Sequence, residues 1–329
     1  MKITKRIAML GIVIMCLYSL GELGICSYCQ IPAPKEAAPA PEAADVMEES
    51  MADTVKAPPA DSPPLPEPLM ERMETCWDEE ILETCIQGGL SIKNATDYEV
   101  DMGALLSAGP DIHLAAEGPQ ILIIHTHSSE AYTQAGLDHY EESDDHRTQN
   151  KAYSIIRVGD ELTEIFEQAG LRVIHDRQVY DYPSYTGCYS RSGAAVEDYL
   201  REYPDIAVVL DVHRDALGAD GVVYKTMAEE DGSCASQIML LSGSDASGLE
   251  HPDWKSNLSL ALYLQNAVSS RHPTLMRPVS LVRERYNQHL SRGSLIIEVG
   301  SSGNTLQEAL AAIRLFAHSA APALKALER

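Results

Sequence analysis

The chain has 329 residues and a formal net charge of −24, from 25 Lys and Arg against 49 Asp and Glu. That length allows one or two domains, and so acidic a polypeptide repels nucleic acid, whose binding rests on Lys and Arg neutralising phosphates. With two Phe and two Trp against 15 Tyr, the core has to be built from Leu, Ile, Val and Ala.

Lys2, Lys5 and Arg6 precede an apolar run from Ile7 to Leu20, the order of a positive n-region and an h-region. The run resumes after Glu22 with Leu23, Ile25 and Cys26, so it approaches the ~20 residues that span a bilayer. No small-x-small cleavage site is convincing, and Ile25 is too large for the residue before a lipoprotein cysteine. Residues 1–29 are therefore read as an uncleaved single-pass signal anchor in the cell membrane, with a cleaved signal as the alternative, and the basic flank puts the rest of the chain outside. Residues 30–70 are rich in Pro, Ala and acidic side chains, as in PAPKEAAPAPEAA and PPADSPPLPEP. They bury too little apolar surface to fold and form an extended spacer. Residues 71–118 are an N-terminal extension with weak signals: a helix over Met70–Gln87 and a short helical piece at Asp101–Leu106. Cys26 and Cys29 are spaced CxxC without a second such pair, so they do not make a zinc site. Cys76 and Cys85 read equally as a disulfide or as two thiols.

Residues 119–329 alternate strands and helices. Ile121–His125 is a short apolar strand, and Asn150–Ala169 has helical spacing with a stop at Gly170. Leu171–His175 is a strand and Gly193–Tyr203 a helix. Ile206–Val212 is a nearly continuous apolar run, the pattern of a buried central strand. Val222–Met227 and Gln237–Ser242 read as strands, Leu258–Ser270 as a helix and Leu295–Val299 as another buried strand. Thr305–Ala321 is a long final helix, with Pro322 as its stop. The alternation predicts an α/β fold: a mixed, mostly parallel sheet with helices on both faces.

Ligands of open α/β sheets bind beyond the carboxyl ends of the strands, and three apolar runs here end there in ionisable residues. ILIIHTHSSE ends in His127 and Glu130, IAVVLDVHRDA in Asp211, His213, Arg214 and Asp215, and LIIEVGSSGN in Glu298. A catalytic zinc ion takes three protein ligands from His and Asp/Glu and keeps one position for water. It draws the pKa of that water towards ~7, and a nearby carboxylate takes the proton. His127, Glu130 and His213 are the expected metal ligands, with His125 as the alternative histidine or a group behind it. Glu298 is the expected general base and acid. Arg214 either stabilises the oxyanion or pairs with Glu298. Glu130 also has a reading as a helix N-terminal carboxylate. His146, His175, His251, His272 and His289 are expected at the surface.

Ser128 and Ser129 beside His127 raise a serine-hydrolase reading, but no GxSxG elbow is present. Gly300, Gly303 and Asn304 lack P-loop spacing; the glycines are expected to relieve crowding next to Glu298, and Asn304 to cap the last helix.

HTHSSEAY, DVHRD, YNQHL at Tyr286–Leu290 and IIEVGSSGNTLQEA together resemble the stage II sporulation protein P family, over about two thirds of the chain from Gly118 onward. The resemblance implies a membrane-anchored, zinc-dependent peptidoglycan hydrolase of endospore formers. It would be similar to the N-acetylmuramoyl-L-alanine amidases, acting on the septal wall during engulfment with a lytic transglycosylase, stage II sporulation protein D. Cleavage of peptide cross-links is also implied. In zinc amidases of this fold the glutamate ligand opens a helix well downstream of the first histidine, whereas no glutamate stands near Asn150–Lys151. The HxxE spacing is similar to that of zinc carboxypeptidases and selects Glu130, with Glu141 and Glu142 as runners-up. Tyr132 and Asn304 are candidates for substrate contact. The competing readings are a zinc carboxypeptidase or endopeptidase on stem peptides, and a non-catalytic wall-binding scaffold.

Overall fold

A computed structural model describes residues 90–328 apart from 220–221 and 231–232. The expected anchor, spacer and Met70–Gln87 helix, and Cys76 and Cys85, lie outside the described residues. Among the described residues, no helix is long and apolar enough to cross a membrane.

The secondary structure runs β1 (Ile92–Asn94), α1 (Met102–Ala108), β2 (Ile121–Ile124), α2 (Ile155–Gln168), β3 (Val173–His175), α3 (Cys188–Glu202) and β4 (Val208–Asp215). Two small hairpins follow, β5 (Gly218–Ala219) with β6 (Val222–Val223) and β7 (Ala228–Glu230) with β8 (Ser233–Ala235). The chain ends with β9 (Ile238–Ser242), α4 (Trp254–Ser269), β10 (Val279–Leu281), β11 (Ser294–Ser301) and α5 (Leu306–Lys325). Seven strands form one sheet in the order β1-β10-β9-β11-β4-β2-β3. Every pairing is parallel except β11 with β9. The sheet is thus mixed and mostly parallel, and β2, β4 and β11 end at one edge.

Alternation along each strand divides the core. Ile121, Ile123, Leu210, Val212 and Ile297 face one side, packed with Leu162 and Phe166 of α2 and Ile313 and Phe316 of α5. Leu122, Ile124 and Val209 face the other, against Val196 of α3. Helices therefore cover both faces, as expected. The strand pattern extends before residue 119, because Ile92–Asn94 pairs in register with Val279–Leu281.

Several boundaries differ from the sequence pattern. α2 starts at Ile155 rather than Asn150, because Ser154 accepts from the Ile156 N–H as its N-cap. α3 starts five residues before Gly193, at Cys188. Val222–Met227 is not a sheet strand; only Val222–Val223 is extended, in a hairpin with Gly218–Ala219. Pro322 does not stop α5, which continues to Lys325. A proline inside a helix strands the carbonyl four residues earlier, and here that carbonyl, of His318, accepts from Arg271 Nη1 at 3.4 Å. Thr305 rather than Asn304 caps α5, in a capping box with Glu308.

His125 and His175 are not arranged as expected. His125 is fully buried, with Nδ1 2.8 Å from the Val212 carbonyl and Nε2 2.9 Å from His175 Nε2. Burial, then the charge of His175, pushes the His125 pKa down to about 3, so its ring is neutral. Gly159 of α2 makes room for this pair, since a Cβ there would lie 2.4 Å from His125 Nε2 and 2.7 Å from His175 Nε2. The His125 ring is held at both nitrogens and cannot yield. Gly159→Ala, which would help an exposed helix, is expected to destabilise this one by about 1–3 kcal/mol, read as a lower urea midpoint at unchanged slope. His251 is also buried rather than exposed.

Candidate metal centre

The turn after β2 bends so that the Glu130 N–H donates to the His127 carbonyl at 3.0 Å. No helix begins there, so Glu130 is not a helix N-terminal carboxylate. The turn instead brings His127 Nδ1 within 3.2 Å of Glu130 Oε1. β4 runs alongside, and its His213 places Nδ1 3.5 Å from Glu130 Oε2. His127, Glu130 and His213 are all buried, and each offers one ligand atom within 4.8 Å of the others. His125 is not part of this group, because both of its nitrogens are engaged on the opposite face of the sheet. Glu141 and Glu142 are exposed and also stand outside it.

The surroundings favour a charge on Glu130 and His213 and oppose one on His127. Burial pushes the Glu130 carboxyl up, but the Arg214 charge and hydrogen bonds from His127 and His213 outweigh it and keep the group well below the usual carboxylate range. Burial lowers His127 against the pull of Glu130. Burial also opposes a charge on His213, but Asp211 and Glu130 together raise it well above the ordinary imidazole value. His213 Nε2 lies 2.9 Å from Asp211 Oδ1, off the axis of a linear hydrogen bond. Asp211 is itself fixed by the Thr126 N–H at 2.8 Å and the Thr126 hydroxyl at 2.6 Å. A carboxylate behind an imidazole sets its orientation and basicity when it ligates a metal.

Glu298 enters from β11, in register with His213 on parallel strands, so the two side chains share a face. Its Oε2 is buried and has no hydrogen-bond partner among the described residues. Burial, then the negative charge of Asp215, pushes its pKa up to about 8. A cleft of about 320 Å³ opens over the group, lined by His127, Glu130, Arg147, Tyr185, His213 and Glu298 among others.

Arg214 does not fit the expected oxyanion role. Alternation turns it away from His213 and Glu298; Nε donates to the Ala131 carbonyl at 3.0 Å and Nη2 to that of His146 at 3.1 Å. Its backbone N–H donates to Glu130 Oε2 at 3.1 Å. No ion pair joins it to Glu298 among the described residues. Arg214 therefore positions Glu130 and the loop around it. His146 adopts a left-handed φ of 49°, a costly conformation for a side chain of its size, and its carbonyl receives both Arg214 and the Ala131 N–H.

Tyr132 and Asn304 are buried and structural rather than substrate-facing. The Tyr132 hydroxyl donates to the Val299 carbonyl at 2.9 Å, and Asn304 bridges Thr226, Ser301 and Glu308. Gly300 and Gly303 do relieve crowding, but against Ser236 and the Tyr224 backbone rather than Glu298. Ser128 donates to the His125 carbonyl and Ser129 to Asp181, so neither hydroxyl is paired with an imidazole.

The sequence reading missed an aromatic wall and a second arginine. Tyr185 and Tyr189 lie 4.9 and 5.4 Å from the His127 ring, and Tyr286 lies 5.4 Å from Tyr189. Tyr286 has φ 50°. Arg147 stands beside Glu130, with Nη2 3.7 Å from Oε1. The YNQHL motif contains Tyr286, but no spacing in the sequence connects these residues to one another.

Fold and cluster together define the class: an α/β protein with a buried His–Glu–His cluster that could hold a metal ion at the carboxyl edge of its sheet. The chain belongs to the Stage II sporulation protein P (SpoIIP) family, whose model matches residues 43–321. The Stage II sporulation protein P of Bacillus subtilis (strain 168) is 23% identical over 199 residues, covering 57% of this chain and 47% of that protein. The chain thus spans about half the length of the curated relative it matches. Among solved structures it is similar to N-acetylmuramoyl-L-alanine amidase AmiC2 of Nostoc punctiforme, at 13% identity over 64% of this chain and 98% of the other, with a TM-score of 0.36. It is also similar to the CwlD amidase from Clostridioides difficile in complex with the GerS lipoprotein, at 13% identity over 63% and 98%, with a TM-score of 0.38. Likeness at those scores carries no inference about chemistry.

Proposed function

We propose that this chain is a zinc-dependent peptidoglycan hydrolase, an N-acetylmuramoyl-L-alanine amidase acting on the septal wall during sporulation, with endopeptidase cleavage of the stem peptides as the competing activity. The observation that carries the reading is the buried set of His127, Glu130 and His213 with Glu298 on the adjoining strand. Two imidazoles and a carboxylate suit a catalytic zinc ion. The group also fits one physically, since two buried histidines crowd a single buried carboxylate and His127 Nε2 finds no partner among the described residues. When bound, the ion would supply Lewis acidity to the scissile carbonyl and acidity to the attacking water.

The chain's own residues then divide the work. His127, Glu130 and His213 would hold the ion, and Asp211 orients His213. Glu298 takes the proton of the attacking water and returns it to the leaving amine, a shuttle that needs a carboxyl titrating near neutrality. Arg214 keeps Glu130 ionised and fixed. His213 must give up its proton before it can ligate, so zinc affinity is expected to fall as pH falls, which titration at pH 6 and pH 8 measures.

The same reading puts residues 1–29 in the membrane as an anchor and uses residues 30–70 as a spacer. Residues 71–118 lead into the catalytic domain of residues 119–329, which lies on the extracytoplasmic side. Family membership supports peptidoglycan as the substrate; stage II sporulation protein D is the partner this reading expects. Mass spectrometry of purified sacculi digested with the protein tests the bond cleaved. Stem peptides released with a free alanine amine, leaving free lactyl groups on the glycan, are expected. Products cut only within the stem peptides would replace the amidase with a peptidase.

A further inference from the structure

Two arginines stand beside Glu130, and they are differently disposed. The Arg214 side chain is 5% exposed, and its Nε and Nη2 are committed to backbone carbonyls. Both arginines line the cleft, but the Arg147 side chain is the more exposed, at 18%. Its Nη1 donates to Asp181 Oδ2 at 2.6 Å and to the Ser129 hydroxyl at 3.2 Å. Its guanidinium carbon lies 5.0 Å from the centre of the Tyr185 ring. Nε and Nη2 donate to nothing among the described residues; the nearest acceptor in an ion pair is Glu130 Oε1, 3.7 Å from Nη2.

One nitrogen of this guanidinium is therefore pinned and its face is backed by an aromatic ring, while the Nε–Nη2 edge makes no hydrogen bond among the described residues and meets only Glu130, in the 3.7 Å ion pair. That edge is a rigid two-donor fork matched to a carboxylate. Because the fork is held before any ligand arrives, binding costs little side-chain entropy. Asp181, which holds it, also accepts from the Ser129 N–H at 3.0 Å, so the fork is tied to the same turn that carries His127 and Glu130. The chain as a whole carries a net charge of −24, and an anionic substrate approaching it needs a local cation.

We propose that Arg147 forms a carboxylate subsite beside the metal centre, receiving a carboxylate of the substrate close to the scissile amide. The inference rests on the proposed function, in which Glu130 spends its charge on the metal ion and leaves the fork to a second anion. A peptidoglycan stem offers two sources: the α-carboxylate left free by a γ-linked glutamate, and the terminal carboxylate of a short stem.

Equilibrium binding separates the inference from the reaction. The full-length Glu298→Gln chain, with zinc present, is titrated with an N-acetylmuramoyl tripeptide carrying both carboxylates, then with the same ligand amidated at one or the other. Amidating the carboxylate that Arg147 reads is expected to weaken binding about tenfold or more and so identifies the source. In the added Arg147→Gln variant the acid and that amide are expected to bind alike. Arg147→Lys keeps a cation for Asp181 but lacks the fork, and is expected to show an intermediate ratio even if the glutamine variant folds poorly. No discrimination between acid and amides in the parent, a ratio unchanged by Arg147→Gln and Arg147→Lys, or an equal weakening of all ligands would overturn the subsite. Absence of cleavage by the unsubstituted chain would count against the proposed function alone, because the binding ratio is read without turnover.

Discussion

Replacing His213 with Ala is expected to abolish zinc binding and wall hydrolysis together, with activity falling at least about a thousandfold. The imidazole stands between Asp211 at 2.9 Å and Glu130 at 3.5 Å, and all three groups are buried. Its loss removes one of the three proposed ligands and leaves two buried carboxylates, Asp211 and Glu130, without the imidazole between them. Breaking a buried charge pair from one side costs about 3–5 kcal/mol, so the urea midpoint should drop as well. Asp211→Asn is the companion variant. It keeps the imidazole and removes only the charge behind it, a change expected to weaken metal affinity by about 10–100-fold. Zinc content by atomic absorption, read against circular dichroism, distinguishes a lost ligand from a lost fold.

Glu298→Gln is expected to retain zinc and fold but lose hydrolysis by about 10²–10⁴-fold. The glutamine keeps the shape of a side chain on β11 beside His213 but cannot accept and return a proton. Burial and the charge of Asp215 push the Glu298 pKa up to about 8, against an ordinary value of 4.5. The folded state therefore holds this proton more tightly than the unfolded state does. Stability of the metal-free protein is lost as pH rises from about 4.5 to about 8, and Glu298→Gln removes that loss. Urea melts should show the metal-free variant more stable than the parent at pH 8.5, by an amount that shrinks towards zero near pH 4.5. In the zinc-loaded enzyme the neighbouring cation lowers the Glu298 pKa, so the acid limb of the activity profile should fall below pH 8 and vanish in the variant.

The parts of the site that were legible in the sequence are those carried by buried strands. ILII, VVLDV and LIIE each bury an apolar run and then present an ionisable residue at the same sheet edge, a pattern that survives without knowledge of strand order. Glu130 was legible from its spacing to His127, because a tight turn brings residues three apart together. His125 and His127 could not be separated by spacing. The distinction came from what lies across the sheet, where the Val212 carbonyl and His175 take both nitrogens of His125. Arg214 departs from the expected role because β4 stays extended to Asp215, so consecutive residues alternate between faces. Arg147, Tyr185, Tyr189 and Tyr286 come together through loops and a helix start whose approach leaves no periodic trace.

The same division holds for the fold. Long helices and central strands follow apolar periodicity. Their limits follow caps, at Ser154 and Thr305, that become readable only once the helix is placed. Pro322 signals a stop locally, and a distant arginine satisfying the His318 carbonyl overrides it. β1 and β10 are three residues each, too short for alternation to register.

The most direct test of the central claim is a zinc titration of the metal-free full-length chain with wall hydrolysis followed at each step. Activity should rise in proportion to added zinc and saturate at about one ion per chain, with His213→Ala and Glu130→Gln flat throughout. Full hydrolysis by the metal-free chain, unchanged by a chelator and unchanged in those variants, would contradict it.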